Sequence, residues 1–510
     1  FGYQSKKGNI SGSVMTSSFS NGNPYLNWTN GFMGLSGLPA DTTVLPADSN
    51  MYKVALNGNY RDLPMSSVLS GRVTFDRQMS SVNVLQQMLA GGAGTGAMVS
   101  TAPSGAVFNG AVVHENASLS LTSQPMRGLD TRVYYNWSLM SNKSTEMSFN
   151  PTAGNAGAGV NNCNTSATGC NNELYGYQRN NFGVEVGYRL NPTNKIAALY
   201  DYMHSNQNRP DYDRTVTSRY GLEWKNSSFD QVDTRLKYQY MVRNSGITSE
   251  WGSQAGPAAW STPFDLASVV QNLVKGVVDW APAPLWNVGA EVLYKHNDYT
   301  QAWGTYGRQK DQRQELFLTA GYGDRGSLRF SVYGDAEYVN YDSLHRVGNL
   351  APFAPGSPAL GATSGAPVYS SGYSWTAKDR EHNYLLGAGM DWVPANRLAV
   401  NSSLSWMKTH GTSDFASNAN LLPPQGLLAI NNWGNSTTWL FNTKATYAYD
   451  KNWDITGGYA YQHYSYSDIA ADGYRYTVGT AGTGMSFATG QYAFPQNTAN
   501  TIYAFVKYKF

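Results

Sequence analysis

The sequence is poor in charge and in cysteine, and it has no long apolar run. Only 14% of its 510 residues are Asp, Glu, Lys or Arg, whereas an ordinary soluble domain has roughly 25%. Two cysteines are too few for a disulfide-rich scaffold. No segment of about 20 consecutive apolar residues is present, which excludes a polytopic helical membrane protein. The 36 basic and 34 acidic residues nearly balance, and this argues against nucleic acid as the main partner.

Aromatic and small residues are abundant instead. Aromatic residues make up 13% of the chain, Tyr (36) outnumbers Phe (18), and Gly reaches 52. A hydrophobic content of 41% excludes a disordered chain. Low charge with many Tyr, Trp, Asn, Ser and Gly residues is typical of a barrel with one side in lipid and the other in water. The chain opens at Phe1 without Met or a visible signal peptide, as we expect of a mature or trimmed protein.

Apolar and polar residues alternate over many segments, which is the pattern of strands with one dry and one wet face. In 182–190 and 232–242, apolar or aromatic residues take most positions of one face, and Gly or polar residues take most of the other. The apolar face is rich in Tyr and Trp, which favours a lipid-facing band with aromatic girdles over a soluble sandwich. Alternation also predicts strands near 51–60, 68–77, 114–124, 131–139, 195–204, 216–225, 274–280, 286–296, 314–322, 327–338, 383–393, 397–408, 437–449, 453–464 and 502–510.

The connections alternate between short and long. Short turns with Pro, Gly, Asn or Asp are predicted at 191–194, 226–231, 281–284, 323–326, 394–396 and 450–452. Long polar loops are predicted at about 78–112, 141–180, 205–215, 243–265, 297–312, 339–381, 409–435 and 465–500. This is the arrangement of outer-membrane barrels, with short periplasmic turns and long extracellular loops. We therefore predict one all-β domain over 1–510, a transmembrane antiparallel up-and-down barrel of about 18–20 strands, even in number, with 20 if 20–45 contains a further hairpin.

One segment fits two structures. Residues 263–279 have apolar positions at helical as well as strand spacing. They could form a loop helix that narrows the pore, but we favour the start of a strand that ends at Trp280.

Recognisable catalytic and cofactor motifs are missing. The chain has no Cys-x-x-Cys-His, His-Glu-x-x-His, phosphate loop or Gly-x-Ser-x-Gly. We therefore expect no enzyme activity and no cofactor bound by this chain itself. Cys163 and Cys170 suggest a small disulfide clip in an oxidising compartment, the alternative being two unpaired loop thiols. Asp201, Asp211 and Asp213 could bind Ca²⁺ at a loop mouth, the alternative being solvated loop charge.

The face opposite the apolar stripe carries charges of both signs. A selective ion pore would gather one sign into rings, whereas mixed charges suit a wet interior that packs against another polar surface. A barrel of this size would leave a passage of roughly 25 Å, so either inward-folded loops or a second protein must fill it. The predicted lumen-facing and partner-facing residues are Arg132, Glu185, Arg189, Arg219, Glu223, Asp233, Arg235, Lys237, Glu291, Lys295, Arg329, Asp335 and Glu337.

The end of the sequence has its own signal. Apolar residues occupy every second position from Ile502, and the chain ends on Tyr508 and Phe510. This resembles the signal read by the barrel-assembly machinery of Gram-negative bacteria.

Residues 175–245 resemble the MtrB/PioB family of decahaem-associated outer-membrane barrels, and the repeated hairpins extend this resemblance over most of the chain. The residues that carry it are Tyr-Gly-Tyr-Gln-Arg179-Asn-Asn, Val-Gly-Tyr188-Arg-Leu, Ala198-Leu-Tyr-Asp-Tyr202, Asn208-Arg209-Pro-Asp-Tyr212, Thr215-Val-Thr, Leu236-Lys-Tyr-Gln-Tyr240-Met-Val-Arg243 and the Tyr508-Lys-Phe510 ending.

The resemblance implies an insulating sheath in the Gram-negative outer membrane, in contact with membrane lipid and lipopolysaccharide. Inside it, a periplasmic multihaem c-type cytochrome would carry haem c and pass electrons to or from an extracellular multihaem cytochrome. Two features depart from the family: the Cys-x-x-Cys that some relatives carry near the N-terminus is missing, and the chain is shorter than the longest members. The main alternative is a general or substrate-selective diffusion porin with an inward-folded constriction loop, and a third is an adhesin-like barrel.

Overall fold

The computed structural model is built from antiparallel strands. It describes residues 1–23, 25–29, 40–84, 87–90, 98–101, 104–149, 170–209, 212–247, 267–300, 307–324, 326–347, 373–417, 428–469 and 496–508. Among these residues, no helix is long and apolar enough to cross a membrane. The strands are β1 Gly2–Gln4, β2 Gly8–Phe19, β3 Tyr25–Thr29, β4 Ala40–Val44, β5 Asp48–Leu63, β6 Ser67–Asn83, β7 Gln87–Ala90, β8 Met98–Thr101, β9 Val107–Met126, β10 Leu129–Asn142, β11 Ser148–Phe149, β12 Cys170–Asn171, β13 Tyr177–Asn191, β14 Asn194–Gln207, β15 Tyr212–Phe229, β16 Val232–Ile247, β17 Val269–Trp280, β18 Trp286–Tyr299, β19 Gly307–Asp324, β20 Leu328–Val347, β21 Tyr373–Ala395, β22 Leu398–Ser417, β23 Leu428–Ile430, β24 Asn435–Ala448, β25 Trp453–Ser467 and β26 Gln496–Tyr508.

Twenty of these strands form one sheet. Its long strands pair with their neighbours along the chain from β2 to β26, while the short β1 and β23 add to β2 and β22. The remaining strands form three separate hairpins, β3–β4, β7–β8 and β11–β12. The predicted up-and-down meander of 18–20 strands is therefore confirmed, and the hairpin suspected within 20–45 exists as β3–β4 outside the main sheet.

All six predicted short turns lie between paired strands, and two more join β5 to β6 and β9 to β10. In the β9–β10 turn, Gly128 has a φ of 86°, a conformation that glycine adopts without strain. In the segment 263–279, which fitted helical as well as strand spacing, the structure has a strand from Val269 to Trp280, as we favoured. Residues 263–266 lie outside the described residues.

The long connections are shorter in the structure than the sequence predicted. Strand β20 runs to Val347 and β21 starts at Tyr373, so strands fill both ends of the predicted loop 339–381. A paired strand can continue into water beyond the apolar band, and there it carries polar residues on both of its faces. In a sequence, such a segment cannot be told from a loop. Strand β2, Gly8–Phe19, was missed because its Gly, Ser and Thr residues give a weak alternating signal.

One face of the sheet is apolar and exposed. Leu222 is 54% exposed and Val292 is 55% exposed, as expected of side chains that lipid covers. Aromatic residues form a row near the short turns and a second row nearer the long connections, and neighbours such as Trp286 and Tyr322 lie with ring centroids 4.8 Å apart. The row near the short turns contains Tyr188, Trp224, Trp280, Trp286, Tyr322, Phe330, Trp392, Tyr447, Trp453 and Tyr508.

The two edges of the sheet generate a prediction. The pairings of the described residues do not join β26 to β1 or β2, and Ile502 on β26 is 85% exposed. An unpaired strand edge in lipid leaves backbone groups unsatisfied at a cost of several kcal/mol each. We therefore expect the first and last strands to pair in a bilayer and close the barrel.

Hydrogen–deuterium exchange in lipid nanodiscs, resolved by residue, measures this closure. Every second amide of β26 points away from β25. We expect these amides to exchange as slowly as the interior amides of β25, which serve as the internal control. Rapid exchange at alternate residues of 496–508 would show an open edge.

Candidate functional site

The polar face of the sheet holds all thirteen residues predicted to line the lumen. Antiparallel partners share a face, and the register pairs Arg132 with Glu185 and Glu223 with Lys237. Since the apolar face must meet lipid, we expect the polar face to line the lumen once the barrel closes. That these residues contact a partner stays a prediction.

Strands β13–β17 form a mainly basic sector of this face. Their polar-face positions hold nine basic residues and five acidic ones: Arg179, Arg189, Lys195, Arg219, Lys225, Arg235, Lys237, Arg243 and Lys275 against Glu185, Asp201, Glu223, Asp233 and Asp279.

Ion pairs hold part of the basic sector in place. Lys225 pairs with Glu223 at 2.9 Å, and Lys195 pairs with Asp130 on β10. Near the short turns these side chains line a cleft of about 450 Å³, which Arg132 also borders. Pairs this exposed add little stability, about 0–1 kcal/mol each, so their charges are available to a partner.

Strands β19–β21 form an acidic sector. Their polar-face positions hold seven carboxylates, Asp311, Glu315, Asp335, Glu337, Asp379, Glu381 and Asp391, against three arginines, Arg308, Arg313 and Arg329.

The centre of the acidic sector is a like-charge pair. Glu315 and Glu337 are direct cross-strand partners, an arrangement that destabilises a sheet unless a cation intervenes. Arg313 supplies that cation: its Nη2 lies 2.8 Å from Glu315, and its Nε contacts Glu337. Asp335 Oδ1 is buried beside them without a hydrogen-bond partner among the described residues. The sector therefore keeps an excess of negative charge.

Strands β6, β9, β10 and β18 carry charges of both signs on the polar face, among them Arg72, Asp76, Asp130 and Glu291. The remaining strands form a neutral sector. On β22, β24–β26, β2 and β5, its positions are mainly Ser, Thr, Asn, Ala and Gly, with few charges. Short side chains leave room for another surface to approach the sheet closely. The polar face as a whole combines a neutral wall with two charged walls of opposite sign.

A buried polar network crosses three strands of the basic sector. Asp201 on β14 is only 6% exposed. It accepts hydrogen bonds from Tyr134 at 2.6 Å and Asn181 at 2.7 Å, and Arg219 lies 3.5 Å away. Tyr134 reaches Asp201 by lying over Gly183 on the intervening strand β13, where a Cβ atom would overlap the ring. The glycine therefore allows the crossing.

The same arrangement of tyrosine over glycine recurs twice on the polar face. Tyr333 lies over Gly387, and Tyr503 lies over Gly458 and donates to Asn442 at 3.2 Å. The Tyr503 crossing links β26 to β24, which are not direct neighbours. Such a crossing depends on the register of three strands, so it could not be predicted from the sequence.

The aspartates considered as calcium ligands do not form a metal site among the described residues. Among the described residues, no group of three or more His, Cys, Asp or Glu is placed to hold a metal ion. The carboxylate of Asp201 is engaged in the network above, and Asp211 lies outside the described residues, so calcium binding stays a prediction.

The predicted disulfide and assembly signal are described only in part. Cys170 lies in β12, paired with Phe149 of β11, whereas Cys163 lies outside the described residues. Tyr508 stands on the apolar face with its ring centroid 4.7 Å from that of Trp453, and Phe510 lies outside the described residues. The clip and the assembly role both stay predictions.

Comparison with known proteins gives one match over the whole length. The family model described as outer membrane beta-barrel porin, MtrB/PioB, matches residues 1–510. No curated protein matches the chain.

Solved structures resemble the chain at low identity. The FrpB iron transporter from Neisseria meningitidis (F5-1 variant) is 10% identical with a TM-score of 0.48, over 99% of this chain and 79% of that one. The copper transporter OprC is 11% identical with a TM-score of 0.46, over 100% and 77%. The ferric enterobactin receptor PfeA from Pseudomonas aeruginosa is 11% identical with a TM-score of 0.39, over 99% and 81%.

The crossing at Gly183 predicts a position-specific loss of stability. Gly183→Ala should displace the Tyr134 ring, break its bond to Asp201 and cost about 1–3 kcal/mol. Gly276→Ala is the matched control, since nothing lies within 4 Å of its added Cβ. Urea unfolding of both variants in detergent micelles, followed by tryptophan fluorescence, measures the difference. Equal stability of the two variants would contradict the structural role given to Gly183.

Proposed function

The chain belongs to the MtrB/PioB family of outer-membrane β-barrel porins, and from this premise we propose that it sheathes a multihaem c-type cytochrome in its lumen. The barrel lies in the outer membrane of a Gram-negative bacterium. Its proposed task is to keep lipid away from the haem chain, position that chain and close the leak around it. Electrons would then cross the membrane to or from an outer partner.

The observation that carries the proposal is the arrangement of charge on the polar face. A pore that selects small ions gathers one sign of charge into rings. Here the basic sector, the acidic sector and the neutral sector lie side by side on one continuous wall. Complementary patches of both signs fix the register and orientation of a protein partner, so this wall suits a folded guest.

The redox chemistry belongs to the guest in this proposal. Covalent haem attachment needs Cys-x-x-Cys-His, and the sequence has no such motif. The residues of this chain would supply only position and electrostatics. The acidic sector would meet a basic surface of the cytochrome, and the basic sector would meet an acidic one.

A diffusion porin is the second candidate, because the family is described as a porin. The two functions differ in what fills the lumen. In a porin, small solutes would cross freely and the charged sectors would only bias their passage.

Purification from the native host separates the two functions. We expect the barrel to elute with c-type haem absorbance, and liposomes that contain the complex to admit small solutes slowly. A colourless barrel that conducts small solutes freely would show that the porin function is correct and the sheath is not.

A second experiment tests the acidic sector as a docking surface. Asp335→Asn with Glu381→Gln removes two of its carboxylates and should lower the haem recovered per barrel several-fold at low salt. The difference from the unchanged barrel should shrink as salt rises, because salt screens the charges that the variant lacks. Glu115→Gln with Asp230→Asn removes two carboxylates from outside the polar face and is the matched control. Haem absorbance per barrel protein is the readout. Equal recovery from both variants would remove the acidic sector from the docking surface.

A further inference from the structure

A belt of basic side chains follows one edge of the apolar face, just beyond the aromatic row nearer the long connections. Near the short turns, by contrast, the outward positions are mainly aromatic or aliphatic, as at Trp280 and Leu398. Acidic residues are fewer in the belt: Glu115, Asp298, Asp342 and Asp414. The basic members are Arg77, Arg214, Lys310, Lys378, Arg380 and Lys408, with His204, His296, His382, His410 and His463.

The belt lies at the level of the outer leaflet. Long connections leave this end of the strands, and in outer-membrane barrels the long loops are extracellular. Basic side chains beside an apolar band extend their charged ends to the headgroup layer. An anionic lipid headgroup is therefore the group that these side chains meet.

The belt is densest on β21 and β22. Lys378, Arg380 and His382 occupy successive outward positions on β21, and His382 is the direct partner of His410. Lys408 lies one outward position below His410 and donates to Thr437 at 3.3 Å. Arg380 is neutralised by Asp414 at 2.6 Å.

Two lysines of this cluster, Lys378 and Lys408, form no ion pair among the residues that the structure describes, and Lys378 is exposed. Lys378 stands in register between Asp342 and Asp414, and Asp414 is engaged by Arg380. The three cations of the cluster therefore outnumber the two carboxylates by one. Together with His410 they present donors to one patch of the headgroup layer. Phosphate groups are the anions that such donor clusters bind best.

An apolar groove of about 500 Å³ lies directly below this cluster on the same face. His382 stands at its rim, with its ring centroid 5.0 Å from that of Tyr338. Ala336 makes the depression, because its neighbours on both sides have large side chains. The groove is lined on the lipid side by Val292, Tyr294, Leu316, Ala336, Tyr338 and Tyr384. Its size lies within the roughly 300–1,000 Å³ of sites for small molecules.

We propose that β18–β22 form a binding site for the phosphorylated glycolipid of the outer leaflet, the lipid A part of lipopolysaccharide. Its phosphates would bind Lys378, Lys408, His382 and His410, and one acyl chain would lie in the groove over Ala336. The juxtaposition of a cluster with more cations than carboxylates and an apolar groove supports a lipid with both a phosphate and long chains. A free phosphate would leave the groove empty.

Native mass spectrometry of the delipidated barrel tests the phosphate part of the site. Bisphosphorylated lipid A, monophosphorylated lipid A and phosphatidylglycerol are titrated separately. Lys378→Gln with Lys408→Gln should weaken binding of bisphosphorylated lipid A by roughly tenfold or more. Lys6→Gln with Lys451→Gln, at the short-turn end, is the matched control and should leave binding unchanged. We expect monophosphorylated lipid A to bind more weakly than the bisphosphorylated form, and phosphatidylglycerol to bind more weakly still.

A second pair of variants tests the groove without changing charge. Ala336→Trp fills the groove and should reduce bound lipid A, whereas Ala388→Trp, exposed on the same face among Val332 and Leu404, should not. The β-strand circular dichroism and heat-modifiability of each variant show that it is folded. Any of three results would overturn the site. The two lysine double variants could lose lipid A binding equally, phosphatidylglycerol could bind as well as lipid A, or Ala336→Trp could leave lipid A binding unchanged.

Discussion

Pairing of backbone hydrogen-bond groups within lipid is the constraint on which this structure depends. Hydrocarbon offers no donor or acceptor, so each unpaired N–H or C=O costs several kcal/mol. The chain meets this constraint by pairing each long strand with the next, from β2 to β26. The ladder then fixes the alternation of side chains, so each strand has one face for lipid and one for the lumen. Both proposed binding surfaces follow from that division.

The division also explains which charges the structure tolerates. Glu223, Lys237 and Lys275 stand in one register row of the polar face. Lys237 and Lys275 carry like charges, but Glu223 lies beside Lys237 and Glu291 lies 2.5 Å from Lys275, so each lysine has a carboxylate neighbour. Glu315 beside Glu337 is different, because like charges in direct register destabilise a sheet. One cation, Arg313, contacts both carboxylates. On the proposed function, this local cost falls on the surface that meets the guest.

Much of the architecture could be predicted because alternation and turn residues are local signals. The faces of Arg132, Glu185 and the other lumen residues follow from counting by two within a strand. The crossing of Tyr134 over Gly183 to Asp201 could not be predicted, since it needs the register of β10, β13 and β14 together. Strand β2 was missed for another reason: its Gly, Ser and Thr residues scarcely distinguish its faces. Strand ends were placed too early because strands that leave the bilayer become polar on both sides.

The excess charge of the two sectors is weighted towards different depths, and this orients a guest. Arg189, Lys195, Lys225 and Arg235 lie close to the short turns, although Arg179 and Arg243 of the same sector lie at the other end. In the acidic sector, Asp311, Asp379 and Glu381 lie nearer the long connections, Glu315 and Glu337 lie near the middle of their strands, and Asp391 lies near a short turn. The outward basic belt, at the end with the long connections, stands at a headgroup layer, where lipid-facing cations are tolerated. On the proposed function, a cytochrome that enters from the periplasm would therefore dock with its basic surface towards the outside and its acidic surface towards the periplasm, since the reverse orientation places like charges against both sectors.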